Sequence, residues 1–167
     1  MQDKNRLEYP LKSKYFQISL QEGGDEYIEC ADEVLIIPQL QDNKIILIEE
    51  PAPAFANKST LLLPGGTVKA GENIEITAQR ELMEEIGMKA NILTYLGTVT
   101  PFSKYLRVRS HVFLGTGLIN ESLQGDEAHV IGKITLTFSD VEQKISEGEI
   151  TDARVMAALF LWKNIHR

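Results

Sequence analysis

Residues Gly66–Met88 read GTVKAGENIEITAQRELMEEIGM. From Asn73 onward the pattern is helical. Asn73 is a natural N-cap, Ile76, Ala78, Leu82 and Ile86 roughly track an apolar side, and Gly87 supplies a C′ stop. On such a helix Glu81, Glu84 and Glu85 stand at i, i+3 and i+4, which puts three carboxylates on one face within a turn. A bare Glu-Glu pair is ordinarily a solvated acidic face, but three like charges this close raise one another's pKa unless a cation sits among them. Hard oxygen ligands grouped this way suit Mg²⁺ or Mn²⁺, ions that keep several waters and bridge to substrate phosphates. Glu72 at the helix start is favoured by the helix dipole. Arg80 can reach back to Glu72 or forward to Glu84 and hold a carboxylate in place. Leu63-Pro64-Gly65-Gly66 ends a strand in a tight turn whose backbone carbonyls can come close to an ion.

The full spacing is more specific than its parts. Gly66, five residues, Glu72, seven residues, then Arg80-Glu81-Leu82-x-Glu84-Glu85-x-Gly87-Met88 resembles the Nudix box, with Met88 where Ile, Leu or Val is usual. The resemblance implies an α/β (α+β) fold, a three-layer α/β/α sandwich with a mixed sheet. It also implies hydrolysis of a nucleoside diphosphate linked to another moiety X, by attack of metal-activated water on one phosphorus of a pyrophosphate. Carried onto this chain, it makes Glu81, Glu84 and Glu85 the ligands of Mg²⁺ (or Mn²⁺), with Gly65 or Gly66 adding a backbone carbonyl. Glu84, Glu85 and Arg80 would be catalytic, and Glu72 with Arg80 would support the ligands.

Outward from the box, Tyr15 to Leu20 and Glu26 to Cys30 read as two strands around the turn 21–25. Glu33 to Pro38 and Lys44 to Glu49 read as a second pair joined at Gln41-Asp42-Asn43. Ile45-Ile46-Leu47-Ile48 is apolar on both faces, as a central buried strand would be. Strands are expected at Asn91 to Gly97, Lys104 to Gly115 and Ile131 to Thr137. Ser139-Asp140-Val141-Glu142 has the form of a capping box, and a closing helix runs from about Thr151 to Ile165. The N-terminal strand pair and the segment Ile150-Thr151-Asp152-Ala153 leading into Ala157, Leu159 and Leu161 resemble the ADP-ribose pyrophosphatase branch of the family. That resemblance implies a strand-pair element at 1–30 that mediates homodimerisation and a hydrolase domain at 31–167. It also implies a catalytic base in the acidic loop Leu123-x-x-Asp126-Glu127, at Glu127. Glu49 and Glu50, Leu62, His129 and the position of Pro101 depart from the branch pattern and leave X open. A house-cleaning hydrolase of nucleoside triphosphates or other nucleotides and a non-catalytic nucleotide-sensing module are the alternatives; the latter typically has eroded ligands, whereas every box carboxylate is present here.

Tyr105, Arg107, Arg109, His111 and Phe113 alternate, as the residues on one face of a strand would. Arg107 or Arg109 could bind substrate phosphates and Tyr105 or Phe102 could stack on a base; a plain solvent-facing strand surface is the other reading. His129, in the acidic loop, could act as base or proton shuttle, or be an ordinary loop histidine. Trp162 is most simply core. The single Cys30 excludes an internal disulfide and reads as a small hydrophobe.

The 167 residues carry 17 Lys and Arg against 24 Asp and Glu, a net charge of −7. That balance excludes a nucleic-acid groove. Neither a signal-peptide core nor an apolar run long enough for a membrane span appears, so a cytoplasmic protein acting on a small-molecule nucleotide is expected. Within Gly66–Met88 five Glu oppose Lys69 and Arg80, so this stretch alone contributes −3. Part of the acidity is therefore a cation site, and a bound cation would supply the charge that a pyrophosphate needs.

Overall fold

Period-two burial sets the architecture. A computed structural model of the chain describes residues 16–20, 26–56, 58–125 and 132–165. Its elements in chain order are β1 (Phe16–Leu20), β2 (Glu26–Cys30), β3 (Glu33–Pro38), β4 (Lys44–Ala52), β5 (Lys58–Leu62), β6 (Gly65–Thr67) and α1 (Ile74–Glu81). A π-helical turn (Leu82–Ile86) follows, then β7 (Met88–Val99), β8 (Leu106–Arg107), β9 (Ser110–Asn120), β10 (Gly132–Thr137), α2 (Phe138–Ser146) and α3 (Ala153–Ile165).

In β3, β4 and β9 successive side chains are buried on opposite faces. Val34, Ile36, Ile46, Ile48 and Phe113 pack against Ala78, Leu82 and Ile86 of the box helix. Their neighbours Ile37, Ile45, Leu47, Val112 and Leu114 pack against Phe138, Val141, Val155, Ala158 and Leu159 of α2 and α3. Strands covered on both faces are what a continuous apolar run requires. The result is helix, strands, helices: the α/β/α sandwich expected. Trp162 stacks on Phe138 with ring centroids 3.5 Å apart, which places it at the core as expected.

The strands form three sheets. β6-β3-β9-β7 is mixed, with β3 and β9 parallel; β10-β4-β5 is antiparallel; β1-β2-β8 carries the expected N-terminal antiparallel pair with β8 added parallel to β2. The expected β3–β4 pair does not form. One bridge, Gln39 to Ile45, closes the connection between them, in which Asp42 and Asn43 are both left-handed at φ 70° and 55°. Both strands are apolar on both faces, and each finds its neighbours elsewhere: β3 takes β6 and β9, β4 takes β5 and β10.

Three further expectations are corrected. The stretch from Lys104 to Gly115 is not one strand: a turn occupies 101–105, and the backbone leaves β8 for a different sheet at β9. The capping box lies two residues earlier. Thr137 Oγ1 accepts from the Asp140 N–H at 3.1 Å, and the Asp140 carboxylate accepts from the Thr137 N–H at 3.0 Å. Ile76 is exposed at 62%, its expected place on the buried face taken by Thr77. Gly87 ends the box helix in the left-handed region at φ 70°, as its position in the sequence required.

Candidate functional site

The site is built where β6 meets the box helix. Asn73 caps α1, its side chain accepting from the Glu75 N–H at 2.7 Å. Gln79 anchors the helix to β7 by gripping both backbone groups of Ala90, donating to its carbonyl at 2.7 Å and accepting from its N–H at 3.1 Å. At Leu82 the helix widens, and Gly87 N–H reaches back five residues to the Leu82 carbonyl. Glu84 and Glu85 lie in this π turn, so their directions are not those of an ideal α-helix. Glu85, 5% exposed, accepts the Gly65 N–H at 2.9 Å. Gly65 thus meets the cluster through its nitrogen.

Arg80 is the hub. Its Nε and Nη2 hold the two oxygens of Glu72 at 3.0 and 3.1 Å, a side-on fork. Nη1 donates to Glu81 at 2.7 Å and to Glu84 at 3.0 Å, and Nη2 also donates to the Thr67 carbonyl at 3.2 Å. All the N–H groups of a guanidinium are engaged. The fork to Arg80 holds the Glu72 carboxyl down at about 2, and Glu72 in return raises Arg80. The sequence reading had Arg80 reaching back or forward; it does both.

Glu72, Arg80, Glu81, Glu84, Glu85, Gly65 and Gly66 are therefore one contiguous group. Among the described residues no set of three His, Cys, Asp or Glu side chains is arranged to chelate an ion as it stands, because Glu81 and Glu84 turn onto Arg80 and Glu85 onto Gly65. The chemistry of the donor set nonetheless fits a hard divalent cation. It consists of carboxylate oxygens on adjacent turns, held against a glycine strand in which a Cβ on Gly66 would collide with Glu81.

The other predicted residues fall elsewhere. Arg107 donates to Glu29, Arg109 faces Asp32 at 3.9 Å, and Phe102 and Tyr105 pack edge to face with centroids 5.3 Å apart. Glu29 belongs to β2, and Asp32 follows that strand and accepts the Val68 N–H through its carbonyl at 2.8 Å. His111 sits with Tyr95 and Thr98, 3.4 and 3.3 Å from their hydroxyls. Glu127 and His129 lie outside the described residues.

Sequence reasoning missed Arg154. This residue, at the start of α3, clamps Asp152 through Nε and Nη2, and its Nη1 lies 3.0 and 3.2 Å from the two oxygens of Glu33. Ser110, fully buried, donates to the same Glu33 at 2.5 Å. Burial pushes Asp152 up, but the Arg154 bonds outweigh it and leave the carboxyl below its ordinary value. A cavity of about 130 Å³ runs from Arg154 and Asp152 past Glu33 and Glu50 to Gly65. A second, of about 290 Å³, lies across the Glu33–Arg154 pair and reaches Thr67, Pro101 and Leu106. Only the segment ending in Asp152-Ala153 hinted at this cluster.

Comparison with known proteins gives a consistent assignment. The NUDIX domain profile matches residues 31–159. The chain is 30% identical over 130 residues to the ADP compounds hydrolase NudE of Escherichia coli (strain K12), covering 78% of this chain and 69% of that protein. It is 26% identical over 136 residues to the ADP-ribose pyrophosphatase of Bacillus subtilis (strain 168), covering 80% and 73% respectively. A crystal structure of an ADP compounds hydrolase superposes with a TM-score of 0.76 at 26% identity, over 92% of this chain and 87% of the other.

Proposed function

The chain belongs to the Nudix family, and from that membership we propose that it hydrolyses the pyrophosphate bond of an ADP compound, ADP-ribose foremost. The observation that carries this reading is the convergence of Glu81, Glu84 and Glu85 on the Gly65-Gly66 strand around Arg80. Glu81, Glu84 and Glu85 would hold a divalent cation, Mg²⁺ or in its place Mn²⁺. Once bound, such an ion would lower the pKa of a coordinated water and offset charge developing on the bridging oxygen.

The protein's own groups do the positioning. Arg80, fixed by Glu72 and the Thr67 carbonyl, holds Glu81 and Glu84 on one side of the helix. The Gly65 N–H orients Glu85 by donating to its carboxylate. Glu84, Glu127 and His129 are the candidates for the base. Phe102 and Tyr105, 57% and 46% exposed, would stack on a base, and Arg107 and Arg109 would meet phosphates by exchanging their present acidic partners. The strand pair within 1–30 would join two copies as a homodimer. A cytoplasmic location is part of the proposal; among the described residues no helix is long and apolar enough to cross a membrane.

The test is direct. With Mg²⁺, the protein should convert ADP-ribose to AMP and ribose 5-phosphate, and Glu85→Gln should abolish the conversion. Product masses across ADP-ribose, diadenosine polyphosphates, NADH, nucleotide sugars and triphosphates identify X. Failure to cleave any of them with either Mg²⁺ or Mn²⁺ would reject the reading.

A further inference from the structure

Arg80 uses its guanidinium as two separate tools. One edge, Nε with Nη2, is committed to Glu72 and to the Thr67 carbonyl. The remaining nitrogen, Nη1, stands between Glu81 and Glu84, at 2.7 and 3.0 Å. These are carboxylates that the box assigns to a divalent ion. The side chains of Arg80, Glu81 and Glu84 are only 15%, 9% and 13% exposed, so water screens their charges poorly. Glu85 adds a third carboxylate to the group, itself buried. Clustered acidic groups of this kind destabilise a fold when their cationic partner is removed, because like charges are then left facing one another without water.

We propose that Arg80 is the resident counter-cation of the cluster, and that a divalent ion enters by displacing its Nη1 arm while the Nε/Nη2 edge keeps hold of Glu72. The proposal rests on the reading of Glu81, Glu84 and Glu85 as ion ligands. It adds that loading is an exchange of one cation for another. A dication drawn to these carboxylates meets Nη1 between them, and the two positive charges repel. The fork to Glu72 does not depend on Nη1, so Arg80 can release two carboxylates without leaving its anchor. The guanidinium would thus hold the ligands together during folding and yield them on loading.

Thermal unfolding with EDTA and with saturating MgCl₂ tests the exchange. In EDTA, Arg80→Gln should melt below the parent. Its upward shift on adding Mg²⁺ should exceed the parent's by about 3 °C or more, because no internal cation has to be displaced. Adding Glu84→Gln to Arg80→Gln should raise the melting temperature in EDTA, since it removes one of the charges Arg80 neutralised. A role of Arg80 confined to Glu72 predicts no such rescue. A Mg²⁺ shift in Arg80→Gln no larger than the parent's, or no rescue by Glu84→Gln, overturns the exchange and leaves the ion site standing. Absence of any Mg²⁺ shift in both proteins overturns the ion site itself. If Arg80→Gln folds only with Mg²⁺, that is the limiting form of the expected result. If it folds under neither condition, a folded Arg80→Gln/Glu84→Gln double variant supports the proposal and an unfolded one overturns it.

Discussion

A Cβ built on Gly66 would lie 2.3 Å from Oε1 of Glu81 and 2.5 Å from its carboxyl carbon. The backbone of β6 and the first carboxylate of the cluster therefore touch, and any side chain at 66 displaces the acid. Glu81 is buried and held by Arg80, so moving its carboxylate disturbs the cluster.

Gly66→Ala should leave the fold intact, since the atom that must move ends a side chain. It should lower kcat/KM for ADP-ribose about 100-fold, the order of loss expected from displacing an active-site group by an ångström. Steady-state kinetics alongside a melting curve would check this. Activity within threefold of the parent would show that the Glu81 position is not critical.

Gln79→Leu should destabilise the protein by about 1–3 kcal/mol, because both the N–H and the carbonyl of Ala90 lose their side-chain partner, and Ala90 is buried. Urea unfolding measures the loss, and faster hydrogen exchange at the Ala90 amide would locate it. An unchanged unfolding midpoint would mean that neighbouring groups take over both bonds.

The Glu72 carboxyl titrates at about 2 in the folded protein against an ordinary 4.5, chiefly through its bonds to Arg80. Between those values the unfolded chain binds more protons than the native one, so stability rises with pH across the window. The contribution of Glu72 is complete above about 4.5 and is lost as the pH falls toward 2. The stability difference between the parent and Glu72→Gln should therefore shrink steadily from pH 5 to pH 2 in denaturant titrations. A constant difference would show that Glu72 acts through packing and not through its charge.

Arg154→Met should cost about 2 kcal/mol or more, since it leaves the partly buried Glu33 and Asp152 carboxylates facing one another without their cation. Adding Glu33→Gln should recover part of the loss, an interaction readable in a double-mutant cycle. Additive losses would place the value of Arg154 in its aliphatic stem.

The box spacing alone determined the family, the helix, its Asn73 cap, its Gly87 stop and the membership of the carboxylate group. All of these depend on contacts within a few residues, which local sequence encodes directly. The same locality explains why the run Ile45–Ile48 could be read as buried on both faces. It could not show which strands flank β4, because strands pair through backbone groups that all of them carry, and the choice is made by the whole packed sheet. The π turn, which re-aims Glu84 and Glu85, likewise depends on how Leu82 and Ile86 seat against the strands. Arg154 meets Glu33 across 121 positions of sequence, only because α3 docks at the end of β3. Tyr105, Arg107 and Arg109 seemed to share a face with His111 and Phe113 until the backbone changed sheets between β8 and β9. Residue type and spacing determined which groups could do the chemistry, and the competition among strands and helices for buried neighbours decided what each group touches.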